Sequence, residues 1–314
     1  MKILFTSVGR RVELVQAFKK AAQELNIDLT IIGGDITDTA PALFYCDKFV
    51  ELPRIREERY IPELIRICKE EDIDALIPTI DTDLLILSKT REDFGKTKVF
   101  ISDTDKIALC RDKRFTADYF NSVGLLSPHP TDDYKAYTGG FPAFIKPRDG
   151  SSSIGANKAE NAADLEALAL KTADYIVQPF ISGTEYTVDI FCDYEGNPVY
   201  ITPRIRLQVR AGEVLKTEIR QDEKIISEMK TLIADYKPRG AITVQLIKDD
   251  VTGDDYYIEI NPRFGGGAPL SIKAGADSAK ALLRILSGEK LSYEDKAAED
   301  GAVYSRFDQS VRIR

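Results

Sequence analysis

With one histidine and four cysteines in 314 residues, this chain has little to offer a zinc site. Cys46, Cys68, Cys110 and Cys192 are scattered with no C-x-x-C spacing. That excludes a zinc ribbon or a redox pair and makes them small core residues of a reducing compartment. The lone His129 stands between two prolines in a loop segment, a structural or solvent-facing position. Basic residues are not in excess either. The formal charge of −8 is the wrong sign for a general nucleic-acid binder, which needs a basic surface to displace counterions, although a local basic pocket is compatible with it. No apolar run is long enough to span a membrane, and Met1-Lys2-Ile3-Leu4-Phe5-Thr6 enters a strand without a signal-peptide pattern, so the expected setting is cytoplasmic. Two phosphate-binding fingerprints are also missing. Ser7-Val8-Gly9-Arg10-Arg11 follows the first strand and opens a helix, but it has one glycine where G-x-G-x-x-G needs three, and no G-x-x-x-x-G-K-[ST] occurs. A Rossmann dehydrogenase and a P-loop NTPase are thereby disfavoured. Gly9 is left as a strand-to-helix turn or as an anion site at a helix N-terminus with Arg10 or Arg11.

What the chain does contain is 43% hydrophobic and 30% charged residues, the balance of an ordinary globular protein, over a length that calls for two or three lobes. The first hundred residues alternate short apolar runs with amphipathic segments, as in a parallel sheet flanked by helices. Strands are predicted at Lys2 to Thr6, Leu29 to Ile32, Lys48 to Glu51, Ala75 to Ile77 and Lys98 to Ile101, and helices at Arg11 to Leu25 and Tyr60 to Glu71. Gly33-Gly34-Asp35 and Pro78-Thr79-Ile80-Asp81 are read as loops beyond strand ends, where ligands of such sheets sit.

From Asp112 the character changes. A helix, Lys113 to Val123, leads to a strand, Phe144 to Pro147, and then to Gly150-Ser151-Ser152-Ser153-Ile154-Gly155. So small a run cannot pack a core; it either folds its N–H groups around phosphates or is a turn with no ligand. A helix, Asn161 to Ala173, and a strand, Tyr175 to Gln178, follow. The remainder alternates like antiparallel strands: Glu185 to Cys192, Pro198 to Gln208, Glu213 to Ile219, and Ala241 to Lys248 turning through Thr252-Gly253-Asp254 into Tyr256 to Asn261. A helix near Glu223 to Tyr236 interrupts them.

The last strand carries the most chemistry. Glu259 and Asn261 are two apart and so share a face, and Arg263 continues the alternation. A carboxylate beside an amide carbonyl supplies hard oxygen ligands of the kind Mg²⁺ accepts together with water and phosphate oxygens, and the arginine adds a cation for phosphate. The alternative is an edge strand showing its polar face to water. Pairing with the preceding strand would bring Gln245, the one polar residue among Val244, Leu246 and Ile247, close to Glu259 and Asn261.

The order Lys113, Lys146, a Ser/Gly loop, Gln178-Pro179-Phe180-Ile181, Glu185, Gln245 and Glu259-x-Asn261-x-Arg263 resembles the ATP-grasp superfamily, in particular a single ATP-grasp unit of the carbamoyl phosphate synthetase large subunit. The resemblance spans almost the whole chain. It implies an α/β fold in which an N-terminal parallel α/β domain (residues 1–110) precedes a two-lobed α+β ATP-grasp domain (111–182 and 183–314). ATP would be bound with one or two Mg²⁺, or Mn²⁺ in its place. Lys113 and Lys146 would contact nucleotide phosphates. Gly150, Ser151, Ser152, Ser153 and Gly155 would close over the β and γ phosphates. Gln178, Pro179, Phe180 and Ile181 would form the hinge whose backbone reads adenine, Glu185 would accept the ribose hydroxyls, and Gln245, Glu259 and Asn261 would hold the metal. Arg263 would face the transferred phosphoryl group, and Phe264-Gly265-Gly266-Gly267 would either offer N–H groups to an anionic intermediate or start a helix.

Two departures shape the expected function. The synthetase subunit has two such halves and this chain one, so that full synthesis is excluded for it alone. Between Thr202 and Thr217, where the synthetase places a substrate-facing histidine, stand Arg204, Arg206 and Arg210. Bicarbonate is therefore a poor candidate and an organic carboxylate gripped by one or more of these arginines a better one, unless they lie on a solvated strand face. The implied activity is an ATP-dependent carboxylate-amine ligase working through an acyl phosphate. Its partners are a small-molecule carboxylate and an amine, with no nucleic acid and no membrane, and a homodimer stays open. The alternatives are a synthetase-like half unit that uses bicarbonate or carbamate with a partner chain, and a nucleotide-binding regulatory protein.

Overall fold

The strand Lys2–Thr6 (β1) is apolar on both faces, with Ile3, Leu4 and Phe5 fully buried, as a central parallel strand covered by helices on two sides must be. In the computed structural model, which describes residues 1–149 and 155–313, β1 pairs in parallel with Thr30–Asp35 (β2) and Ala75–Pro78 (β4). Lys48–Glu51 (β3) and Lys98–Val99 (β5) complete a five-stranded sheet of order β3-β2-β1-β4-β5. The helix Val12–Leu25 buries Leu14, Val15, Phe18, Ala21 and Ala22, a stripe at helical spacing.

The Gly33-Gly34-Asp35 loop predicted beyond β2 is instead part of it, paired with Phe49, Val50 and Glu51 of β3. A Cβ on Gly33 would lie 2.8 Å from Cys46 Sγ and one on Gly34 2.7 Å from Leu52 Cδ1, so the glycines mark close packing and not a turn. Short helices at Leu84–Lys89, Thr104–Arg111, Ala268–Lys273 and Ser278–Leu286 were not apparent from periodicity.

Ala143–Pro147 (β6), Asn157–Ala159 (β7) and Tyr175–Pro179 (β8) form a small antiparallel sheet of order β7-β6-β8. Ala143, Ile145 and Val177 pack with Leu165 and Ala169 of the helix Ala162–Ala169. Alternation along β6 then turns Phe144 and Lys146 to the opposite face.

Gly183–Cys192 (β9), Pro198–Arg210 (β10), Glu213–Ile219 (β11), Gly240–Asp249 (β12), Asp255–Asn261 (β13) and Val303–Ser305 (β14) build a six-stranded antiparallel sheet, β13-β12-β9-β10-β11-β14. One face carries Tyr186, Val188, Ile190, Val244, Leu246, Tyr257 and Ile260, buried under the helices Glu223–Tyr236 and Lys113–Ser122. The other face carries Phe191, Tyr200 and Ala241 against the N-terminal core at one end and is polar beyond them. An aromatic chain joins the two halves of the molecule: Phe5 to Phe18 at 5.1 Å, Phe18 to Phe264 at 6.0 Å and Phe264 to Phe191 at 6.4 Å between ring centroids. It anchors the segment after β13 against β1.

Candidate active site

The register of the large sheet lines up the polar face. Glu259 is opposite Gln245, Gln245 opposite Thr187, and Thr187 opposite Arg204. The next row is Asn261, Thr243, Asp189 and Thr202. Directly opposed residues share a face, so residues far apart in sequence become one floor.

A register shift between Gln245 and Leu246 makes Leu246 pair with Tyr257, leaving Ile258 as the extra residue of a bulge. The bulge explains how Tyr257 and Ile260, three apart, are both buried while Glu259 and Asn261 stay on the floor. β13 is an edge strand, as one alternative reading of the sequence has it, but it is not left open. Tyr257 N–H donates to the Leu126 carbonyl and Ser127 Oγ to the Tyr257 carbonyl, which closes that edge.

Lys146 approaches the floor from β6. It is 6% exposed, and burial pulls its ammonium down to about 8, opposed by the Glu259 carboxylate and reinforced by Lys113. Lys113, at the start of its helix, is lowered by burial too, with Glu259, Asp149 and Asp112 acting against it. The Glu259 carboxylate is thus the anion whose charge acts on both lysines. Asn261 Nδ2 donates to Glu259 Oε1 at 2.9 Å, and Arg263 Nη2 reaches Asn261 Oδ1 at 3.4 Å and Asp81 Oδ2 at 2.5 Å.

For a divalent cation the donors are one carboxylate, Glu259, and the amide oxygens of Gln245 and Asn261. Among the described residues no group of three or more His, Cys, Asp or Glu side chains is arranged to hold a metal. A set so poor in charge, with no thiolate or imidazole, fits Mg²⁺ or Mn²⁺ that completes its shell with water and phosphate oxygens, provided the Asn261 amide turns its oxygen toward Glu259.

The remaining predicted residues fall as follows. Gln178 is buried and opposite Phe144, so it shares the Lys146 face. Pro179 ends β8. Phe180 N–H donates to the Pro142 carbonyl at 3.1 Å, so that amide is already used, while its ring lies 6.1 Å from that of Phe144 and under Lys158 at 4.8 Å. Ile181, half-buried, links this strand to β9. Glu185 pairs with Arg206, Oε2 to Nε at 3.2 Å, and Arg206 also donates to Thr187 Oγ1 and the Gly212 carbonyl. Gly155 has φ +75°. Gly150, Ser151, Ser152 and Ser153 lie outside the described residues.

Arg204 corrects the sequence expectation of a substrate-gripping cation. It is 2% exposed, and its Nε donates to Asp189 Oδ2 at 2.8 Å. Asp189 also accepts from Ser271 Oγ at 2.7 Å and Thr243 Oγ1 at 3.4 Å. A Cβ on Gly267 would lie 2.5 Å from Arg204 Nη2, so the glycine loop rests directly on this guanidinium. Arg204 therefore sits on the floor beneath this loop, covered from the crevice, with its Nη1 lacking a hydrogen-bond partner among the described residues. Arg210 is exposed and paired with Asp308, the solvated alternative. At the Gly9 turn the Gly9 N–H donates to Asp35 Oδ2 at 2.9 Å and the Arg11 N–H to the Val8 carbonyl at 2.9 Å, so those two amides are already used. His129 is exposed, and none of the four cysteines is in a disulfide.

Sequence reasoning missed Asp189, Glu213 and Arg306. Asp189 alternates with apolar residues in β9 as Glu259 does in β13, a signal that was there to be read. Glu213 and Arg306 have no such signature. Among the described residues no helix is long and apolar enough to cross a membrane.

Comparison with known proteins bears on the fold and the family. Residues 110–267 match the family described as "ATP-grasp domain", and residues 3–102 the one described as "PylC-like, N-terminal domain". A 3-methyl-D-ornithine--L-lysine ligase of Methanosarcina acetivorans is 24% identical over 290 residues, 91% of this chain and 75% of that enzyme. A D-alanine--D-alanine ligase of a Marinomonas species is 31% identical over 106 residues, but the match spans only 30% of this chain and 33% of that enzyme. The biotin carboxylase domain of Hydrogenobacter thermophilus 2-oxoglutarate carboxylase superposes with a TM-score of 0.77 at 20% identity, over 96% of this chain and 73% of that one. At that identity the likeness establishes the fold.

Proposed function

This chain belongs to the ATP-grasp family, and on that premise we propose that it is an ATP-dependent ligase that activates a carboxylate as an acyl phosphate and joins it to an amine. The observation that carries the reading is the pair Lys146 and Lys113 within the field of the Glu259 carboxylate, with Gln245 and Asn261 beside it on the floor of the large sheet. Two ammonium groups and a metal-competent carboxylate in one crevice suit a triphosphate, whose charge must be neutralised at several oxygens at once.

In this reading Lys113 and Lys146 hold phosphates, and the hinge Gln178 to Ile181 receives the adenine through backbone groups other than the Phe180 amide. Glu259, Gln245 and Asn261 hold Mg²⁺, which supplies charge neutralisation on the phosphoryl oxygens. Arg263, tethered by Asp81, faces the transferred group. The carboxylate attacks the γ-phosphorus, ADP leaves, and the amine then displaces phosphate from the acyl carbon. No side chain need become covalently attached. The named activities of the Methanosarcina and Marinomonas relatives, each joining two amino acids, favour an amino-acid-like substrate. The proposed setting is the cytoplasm.

The test is phosphate release from Mg-ATP across a panel of carboxylates and amines, with the amide product identified by mass. Release with bicarbonate alone, and with no organic carboxylate, would instead mark a synthetase-like half unit. Binding without turnover on any substrate would mark a regulatory protein.

Two expected results arise here. Mg-ATP should raise the melting temperature more than GTP, which lacks adenine for the hinge, and more than NAD, which carries adenine but lacks the triphosphate for Lys113, Lys146 and the metal. Stabilisation by GTP equal to that by ATP would remove the hinge assignment, and stabilisation by NAD with none by ATP would remove the triphosphate site. The second result concerns pH. Because burial depresses Lys146 to about 8, the charged form is disfavoured in the free protein. Its burial penalty is fully present below about 8 and is relieved as pH rises toward the ordinary lysine range. Phosphate binding needs the charged form. ATP affinity should therefore fall as pH rises through about 8, and Lys146→Met should bind weakly at every pH without that slope. A wild-type affinity that is flat from pH 7 to 9.5 would take Lys146 out of the phosphate site.

A further inference from the structure

We propose that the crevice between the strand-end loops of the N-terminal sheet and the Gly265–Gly267 loop recognises a zwitterionic α-amino acid, with Arg11 and Arg263 taking its carboxylate and Asp81 and Glu213 its ammonium group. This rests on the ligase reading and names the class of its carboxylate substrate.

Charged side chains converge here from distant parts of the chain: Arg11 ahead of the first helix, Asp81 beyond β4, Glu213 at the start of β11, Arg263 after β13 and Arg306 after β14. Arg263 is paired with Asp81 at 2.5 Å, and Arg306 spans Glu213 at 3.4 Å and Glu13 at 3.3 Å. Burial lowers Arg11, Arg263 and Arg306 lower it further, and Glu213 and Asp81 oppose them, so the other four charges all act on Arg11.

The cations have capacity to spare. Arg11 donates Nη2 to the Thr79 carbonyl at 3.1 Å and makes no ion pair within 4.0 Å among the described residues. The buried Nε of Arg263 has no hydrogen-bond partner among them either. A buried guanidinium nitrogen without an acceptor is costly, and a ligand carboxylate would satisfy it.

The carboxylates decide what else the ligand carries. Asp81 is 38% and Glu213 54% exposed, so both reach the crevice. A Cβ on Gly266 would lie 2.1 Å from Glu213 Oε2, so this carboxylate lies against the loop that follows Arg263. A ligand that was only an anion would meet both head on, and like charges in apposition repel. A positive group on the same ligand converts that repulsion into recognition. Arginines and carboxylates side by side match the two ends of an α-amino acid.

Acyl phosphate formation can be trapped with hydroxylamine as hydroxamate, which tests this without knowing the natural amine. A panel of L- and D-α-amino acids is compared with the same acids lacking the amino group, as in alanine against propanoate. The best amino acid should exceed its deaminated analogue on the order of a hundredfold in kcat/KM, and Glu213→Gln and Asp81→Asn should each shrink that ratio on the order of tenfold. A folding defect lowers both rates alike and leaves the ratio untouched. Calorimetric binding of the same amino acid beside a non-hydrolysable ATP analogue should weaken in Glu213→Gln. Hydroxamate formed equally from both classes, or a ratio unmoved in both variants, overturns the amino-acid site and leaves the ligase reading standing. Hydroxamate from no acid removes the ligase reading; the calorimetric arm then still decides the site, since binding unaffected by Glu213→Gln, or no binding, overturns it.

Discussion

Glu259→Gln is expected to lower turnover on the order of a thousandfold and to leave ATP affinity at pH 7 within several-fold of wild type. The substitution keeps size and the hydrogen bond from Asn261 Nδ2 within reach, at 2.9 Å in the wild type, so folding should survive. What is lost is the carboxylate at the metal. Charge stabilisation by a metal contributes several kcal/mol, and about 1.4 kcal/mol corresponds to a tenfold change in rate. A second signature separates this role from a structural one. Glu259 opposes the fall of Lys146 and Lys113, so neutralising it should push Lys146 below about 8 and move the loss of ATP affinity to lower pH. A variant that turns over like wild type, or one whose pH midpoint does not move, would dissociate Glu259 from the site.

The second large effect is on stability. Asp189→Leu should destabilise the protein by about 3–5 kcal/mol, because it strands the buried Arg204 guanidinium, 2% exposed, without its counter-ion. Ser271 and Thr243 would lose an acceptor in the same step. Replacing both members, Asp189→Leu with Arg204→Met, should recover most of the loss, since no uncompensated charge then stays inside. Thermal and urea unfolding of the two single variants and the double variant measure the coupling. A double variant no more stable than Asp189→Leu would mean that the ion pair is not what holds this region. Turnover should fall in all three, because the Gly265–Gly267 loop rests on Arg204, and a displaced loop shifts Arg263.

How far the sequence alone reached can be followed residue by residue. Alternation in Tyr256 to Asn261 put Glu259 and Asn261 on one face, and the turn at Thr252-Gly253-Asp254 brought Gln245 beside them, opposite Glu259; both are local properties of a hairpin. The α/β character of the first hundred residues and the antiparallel remainder were legible for the same reason, since hydrophobic period is a property of short windows. The glycines in β2 were misread because a glycine required by close packing against Cys46 and Leu52 looks, in one dimension, like a glycine required by a turn.

What only the tertiary structure decided is which charges meet. Arg204 and Arg206 are two apart on one strand face and look equivalent in sequence, yet Arg204 falls opposite Thr187, beside Asp189 and under Gly267, and becomes a buried support, while Arg206 meets Glu185. The partners of Arg263 and Arg306 lie 182 and 93 residues away, at Asp81 and Glu213. Local pattern determines which face of a strand a side chain takes. Its electrostatic neighbours depend on strand order and on how sheets pack, and these are set by the burial of the whole apolar surface, which no short window of sequence contains.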